Sequence, residues 1–414
     1  MLPRPLRSLF APSRQRLVTL VRDELRAAGV DPAALVYDDT EFQFRLPDDS
    51  TLFLGNLLRE CHLLWPWQRR ARVRRFVGLY GEGSRMKTPA FAEARERLLP
   101  GVRDAVILDV VRLQALVGGQ PHPGVPSRRL GTRLRLCLFL DSAESTVMVT
   151  NDDLQTWGKT FEEVLQVALD NLEARSPGGL TRHEGVYVAP WSDCYDPARA
   201  LLRSRMSSVE VQGEMVAFMP NWNHLIVTGS GDGVGMTSAL AFATRVMEEE
   251  PRCMSARPLV WRDGDWIDLE LPRGHVLEPG LRKARVMEMV GVYRDQTEQL
   301  GRYHEAAGID VFVAAYTGTC RDDDDYSSYC VWSRGVATLL PRTETIHFFD
   351  PEAGSEGAVV GHFDWDLVAL HCGDLMTRTE WTQERYLVEQ FPSEAQLERM
   401  RQSQAQRDGG RRAD

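Results

Sequence analysis

His362, Asp364 and Asp366 alternate along the chain, with His347 upstream and His371, Cys372 and Asp374 close behind. On a strand the first three share one face, and with His371 they could offer nitrogen and oxygen ligands to a divalent metal that activates water. The spacing is neither H-x-x-x-H nor H-E-x-x-H, and histidines and aspartates also gather at turns. A metal-dependent hydrolase is therefore the alternative expectation for this chain and not the leading one.

Asp193, Tyr195, Asp196 and Arg199 put two carboxylates, a phenol and a guanidinium at the start of a helix. Asp196 before Pro197 reads as an N-cap with proline in the first turn, and Arg199 can pair with Asp193 across that turn. The other reading of these four residues is a polar recognition site. Gly229, Gly231 and Gly233 lie in His224–Gly235, which looks like a strand, a glycine loop and a helix start, a place where backbone amides bind anions. The dinucleotide spacing fails, Asp232 puts a negative charge in the loop, and Ser230 is not in a nucleophile elbow. Anion or ligand binding stands there against a plain flexible turn.

Three further motifs read as structural. Gly158-Lys159-Thr160 invites a phosphate-loop reading, but the leading glycine is replaced by Asp153, and Thr160 with Glu163 makes a capping box. Arg69, Arg70, Arg72, Arg74 and Arg75 beside Trp65 and Trp67 could hold nucleic acid. The helical phase of Val73, Phe76, Val77 and Tyr80 instead leaves these arginines on a solvated face, free to pair with the chain's own carboxylates or a partner's. Asp322–Asp325 lacks the glycine and distal glutamate of an EF-hand and reads as a solvated turn.

The elements that must position these groups follow from periodicity. A chain of 414 residues exceeds what one core usually serves, so two or three domains are expected. Leu17, Leu20, Val21 and Leu25 mark a helix, and Phe42–Leu46 with Thr51–Leu54 a hairpin; helices through Val73–Tyr80 and Val106–Leu113 complete a mostly helical module, residues 1–117. The prolines and glycines of 118–126 break the pattern. Residues 130–272 alternate strands at Leu134–Leu140, Thr146–Val149, Gly185–Val188, Met215–Phe218 and His224–Val227 with helices beginning at Phe161, Pro197 and Ser238. A third module, 273–402, holds a helix through Val286–Leu300 and further strands, and a polar tail, 403–414, is expected to be disordered. Strands adjacent in sequence, without regular βαβ alternation, predict an α+β fold of mixed, largely antiparallel sheets packed with helices.

The net charge of −10 opposes capture by nucleic acid or an anionic membrane. Seven scattered cysteines write neither a disulfide framework nor a zinc knuckle, and no apolar run reaches the length of a membrane span. The N-terminal prolines and arginines interrupt any signal-peptide core, so the cytoplasm is the expected compartment.

Within the middle module, a strand pair leads to the Trp157 loop and a helix. A short strand then ends in Trp191-Ser192-Asp193-Cys194-Tyr195-Asp196-Pro197-Ala198-Arg199-Ala200-Leu201-Leu202, and His224–Val227 leads into another helix. Over about residues 134–260 this resembles the bacterial YtpQ-like family, most specifically in Tyr195-Asp196-x-x-Arg199. The resemblance implies a cytoplasmic bacterial protein with no established activity; long flanking segments on both sides depart from the shorter members. The leading expectation is a non-catalytic protein that binds another protein or a small ligand, with no cofactor, nucleic acid or membrane partner.

Overall fold

The stripe of Leu17, Val21 and Leu25 is buried on the helix Arg14–Ala27, and Ser13 caps its start by accepting the Arg16 amide at 3.2 Å. In the computed structural model described here, that helix and the helices Gly55–Leu63 and Pro66–Gly81 surround a small antiparallel sheet, Val36–Asp38, Gln43–Arg45 and Thr51–Phe53. The hairpin follows the sequence pattern; the strand Val36–Asp38 is an addition to it. The structure describes residues 12–40, 42–47, 51–81, 88–117, 124–141, 146–271, 274–321, 325–354 and 357–411. The break at 118–123, Asp322–Asp324 and residues 412–414 of the tail lie outside them, as does the side chain of Tyr80.

The described residues form two compact units, one drawn from Met1–Arg103 and Pro123–Leu269, the other from Asp104–His122 and Glu270–Asp414. Besides its small sheet, the first unit holds a six-stranded antiparallel sheet. Its order is Asp265–Asp268, Cys253–Arg262, Met215–Asn221, Ile226–Gly229, Val186–Val188 and Thr181–His183. A further sheet runs Leu98–Asp104, Leu134–Asp141, Ser127–Leu130, with Thr146–Met148 also on the central strand. Helix Phe161–Ala174 buries Val164, Leu165, Ala168 and Leu172, and one apolar core joins these residues to Leu136, Met219, Val227 and Trp266. The Trp266 indole N–H donates to the Ala200 carbonyl at 3.1 Å, so even this large side chain is satisfied inside.

In the second unit the 30-residue helix Glu278–Ala307 accompanies two four-stranded sheets. Both mix directions: Phe312–Val313 runs parallel to Thr338–Pro341, and Asp325–Ser333 parallel to Thr345–Asp350, while their other pairings are antiparallel. The architecture is α+β with several mostly antiparallel sheets.

Two segments differ from the expectation. Helix Val106–Val117, assigned by its position in sequence to the N-terminal module, belongs to the second unit: Leu113 packs with Leu300 and Leu339, and buried Asp109 accepts the Thr382 and Gln383 amides, each at 2.9 Å. The polar tail continues a helix, Glu394–Arg411, because Leu397 and Met400 are fully buried against Phe363 and Val368 and Ser393 bonds the Gln396 amide at its start. Two buried side chains are enough to dock a polar helix that propensity alone leaves marginal. No helix among the described residues is long and apolar enough to cross a membrane.

Candidate functional site

Arg199 organises the turn that the sequence marks out. It has no solvent exposure, and its guanidinium grips Asp193 with both forks, Nη1 to Oδ1 at 2.7 Å and Nη2 to Oδ2 at 2.6 Å. Nη1 also reaches Asp196 Oδ1 at 3.0 Å, Nε donates to Ser176 Oγ at 2.7 Å, and the plane lies 4.4 Å from the Trp191 ring. A buried arginine demands such saturation, since each missing partner leaves charge in a medium of low dielectric. Asp196 does not cap the helix. It opens a 3-10 helix, Asp196–Leu201, and its Oδ2 turns back to accept the Ser192 amide at 2.6 Å. The reason is local: Ser192 and Cys194 both adopt left-handed backbone, φ +52° and +72°, which coils the loop into a ring around the carboxylates.

Arg199 brings one charge to two carboxylates. Burial raises the Asp193 carboxyl, but the bond and the charge of Arg199 outweigh it and the net shift is downward. Burial, with the Asp193 charge beside it, pushes Asp196 up to about 7 against the pull of Arg199. Tyr195 donates its hydroxyl to Asp141 Oδ1 at 3.0 Å, and its ionisation is pushed up by burial and that carboxylate. The four residues are thus brought together, with Asp193, Asp196 and Arg199 engaged with one another and Tyr195 tied in through its amide, which donates to Asp193 Oδ1 at 3.1 Å.

Cys194, in the middle of this turn, faces other company. Its amide donates to Asn223 Oδ1 at 2.9 Å, and its sulfur receives Arg252 Nη1 at 3.2 Å. Arg252, itself at φ +61°, pairs through Nη2 with Glu60 at 2.8 Å and lies 4.6 Å from the centre of the Trp222 ring. A second guanidinium, Arg103, approaches the same indole at 3.7 Å and Phe139 at 4.2 Å. Arg103 is only 3% exposed, and its one hydrogen bond among the described residues is from Nη1 to the Val102 carbonyl at 2.8 Å. No carboxylate among them lies within ion-pairing reach of it. Burial lowers its pKa to about 10.

Arg385 in the second unit shows what a structural arginine without a carboxylate looks like. It is fully buried, and Gln296 Oε1, the Ala314 and Leu339 carbonyls and Thr297 Oγ1 accept from it at 2.7, 2.8, 3.0 and 2.7 Å. Arg103 has the burial of Arg385 without that shell of acceptors among the described residues. Sequence reasoning missed Arg103, Trp222 and Arg252 because they lie on segments far apart in the chain; the left-handed turn around Cys194 gave no motif.

Gly229, Gly231 and Gly233 sit where the strand Ile226–Gly229 passes into the helix Gly233–Glu249. The loop's amides are engaged inside the protein: Ser230 donates to the Glu214 carbonyl at 2.8 Å, Gly231 to that of Gln212 at 2.9 Å and Asp232 to that of Gly229 at 3.0 Å. Asp232 Oδ1 accepts the Gly235 amide at 2.8 Å, so a carboxylate of the chain occupies the helix start where an anion would bind.

The strand Ala358–Asp364 carries His362 and ends at Asp364, while Asp366 and His371 belong to the helix Trp365–Cys372. The expected single strand face therefore does not form. His362 stands opposite His347 across the ladder, Asp366 pairs with Arg342 at 3.2 Å, Asp364 lies 3.8 Å from Arg407, and His371 Nε2 is 3.0 Å from Ser403 Oγ. Among the described residues no three His, Cys, Asp or Glu side chains are grouped to hold a metal ion. Thr160 and Glu163 form the capping box, with Lys159 Nζ on Glu163 at 3.0 Å. Arg70 and Arg74 both bind buried Glu24, at 2.7 and 2.9 Å; Arg72 pairs with Glu60, and Arg69 donates to the Cys61 carbonyl at 2.9 Å. Four of the five clustered arginines thus have partners within the chain.

No protein-family model, no curated protein and no solved structure matches this chain.

Proposed function

We propose that this chain is a non-catalytic, cytoplasmic ligand-binding protein whose first unit takes a small molecule at Cys194, between Arg103 and Arg252. The observation that carries the reading is Arg103, a guanidinium 3% exposed that lacks a carboxylate partner among the described residues and makes one hydrogen bond. Burying an uncompensated charge costs several kcal/mol, roughly, and a bound ligand that supplies acceptors offsets that cost. Half-exposed Cys194 and Arg252, with its side chain 25% exposed, give the approach.

Chemistry at the thiol is not favoured by this arrangement. Burial raises the Cys194 pKa despite Arg252 and Arg103, which keeps the sulfur protonated and weakly nucleophilic. All seven cysteines are free, as suits a reducing compartment. The test is a melting-temperature screen of a small-molecule library against the wild type and Arg103→Lys. A compound that stabilises the wild type and loses its effect in the variant is expected; a screen in which no compound stabilises the wild type overturns the reading.

A further inference from the structure

Resting on that reading, we infer that the ligand at Cys194 is a small oxyanion, a carboxylate or phosphate group held jointly by Arg103 and Arg252. Charge is the first argument. Arg252 and Arg72 share a single carboxylate, Glu60, at 2.8 and 2.5 Å, and no carboxylate among the described residues pairs with Arg103 beside them. The other acid bearing on Cys194 is Asp193, and both of its oxygens are held by Arg199. The group therefore keeps an excess of positive charge inside a chain whose net charge is −10.

Donor geometry is the second argument. Each guanidinium has five N–H donors in a planar fork, a shape that matches the paired oxygens of carboxylate and phosphate. Arg103 uses one of its donors on the Val102 carbonyl, and Arg252 directs Nη1 at a sulfur, which is a weak acceptor. An oxygen anion placed at Cys194 replaces that weak contact with a charge-assisted bond and gives Arg103 a counter-charge. The Trp222 indole, approached by both guanidiniums, fixes the two forks before any ligand arrives, which lowers the ordering cost of binding. A neutral ligand leaves the positive excess where it was.

The experiment reads Cys194 directly. The full chain is treated with iodoacetamide in sodium phosphate, in sodium succinate or in sodium chloride of matched ionic strength, and alkylation of Cys194 is followed by peptide mass spectrometry. Exposed Cys320 serves as the internal control. Phosphate or succinate is expected to slow Cys194 alkylation about tenfold at ten times its dissociation constant, with Cys320 unchanged. The anion that protects at the lower concentration identifies the phosphate or the carboxylate source. Arg252→Gln, a change at a partly exposed side chain, is expected to abolish the protection. If neither anion protects beyond chloride, or if protection persists in Arg252→Gln, the oxyanion inference falls. A neutral compound that stabilises the wild type but not Arg103→Lys would then leave the ligand-binding reading standing alone.

Discussion

Arg199 holds both oxygens of Asp193, at 2.7 and 2.6 Å, from a position without solvent exposure. The pair closes a loop in which two non-glycine residues, Ser192 and Cys194, are left-handed. Removing the guanidinium leaves Asp196 buried without its cation and frees the loop. Arg199→Ala should cost about 3–5 kcal/mol, whereas Asp193→Asn, at a carboxylate 39% exposed, should cost about 1 kcal/mol. Urea unfolding of the two variants beside the wild type checks the order; equal and small losses would mean that the pair does not hold the turn.

Asp196 gives the first unit a pH dependence. Its folded pKa, about 7, lies above the ordinary carboxyl value of 3.8, so between these limits the folded chain binds more protons than the unfolded one. Stability from this group is full below about pH 4 and is lost as pH rises through about 7. Asp193, shifted the other way, contributes stability above the ordinary carboxyl range that is lost in acid. In Asp196→Asn the loss between pH 5 and 8 should disappear. The difference in unfolding free energy from the wild type should therefore move in the variant's favour as pH rises, and a difference independent of pH would show that Asp196 is ionised throughout.

The glycine loop separates a packing glycine from a dispensable one. A methyl group at Gly229 would meet the Gln212 carbonyl oxygen at 2.1 Å, a contact with backbone that cannot swing aside. At Gly233 nothing lies within 4 Å. Gly229→Ala should lose about 1–3 kcal/mol by overpacking, and Gly233→Ala should stay within about 0.5 kcal/mol of the wild type. Thermal unfolding of both settles whether close approach of the two chain segments, and not ligand contact, accounts for the glycine at 229.

Patterns confined to one element are readable in the sequence itself. Leu17, Val21 and Leu25 specify a stripe, and Thr160 with Glu163 a cap, because helical geometry alone brings them together. Val106–Val117 defeats that logic: its periodicity is plain, but its partners Leu300, Leu339, Thr382 and Gln383 lie far downstream. The tail helix misleads for the opposite reason, since two buried apolar residues among many polar ones outweigh composition. The group around Cys194 is hardest, because Arg103, Trp222 and Arg252 meet only through the packing of three separate segments.

Thr160 and Lys159 test the cap against the phosphate-loop idea. The Thr160 hydroxyl accepts the Glu163 amide at 3.3 Å while Glu163 accepts the Thr160 amide at 2.8 Å. Thr160→Ala should therefore cost about 1 kcal/mol. Lys159 makes an exposed i,i+4 pair with Glu163 and lies 5.9 Å from the centre of the Phe91 ring, so Lys159→Ala should cost at most about 1 kcal/mol. ATP should leave the melting temperature of the wild type unchanged. Stabilisation by nucleotide that Lys159→Ala removes would restore the phosphate-binding reading.

Metal divides the ligand-binding reading from the hydrolase alternative. His362 is exposed on its strand opposite half-buried His347, whose pKa is lowered by burial and by His362 beside it, so the pair repels added charge. Two neutral imidazoles at that spacing could still attract an ion, yet Asp364 and Asp366 face Arg407 and Arg342, and His371 is turned to Ser403. A ligand set would have to break three existing contacts to assemble. The expected outcome is that chelator leaves the melting temperature unchanged, that metal analysis finds much less than one ion per chain, and that His362→Ala shifts stability by less than about 0.5 kcal/mol. Stoichiometric zinc or manganese in the wild type, lost in His362→Ala, would move the hydrolase ahead.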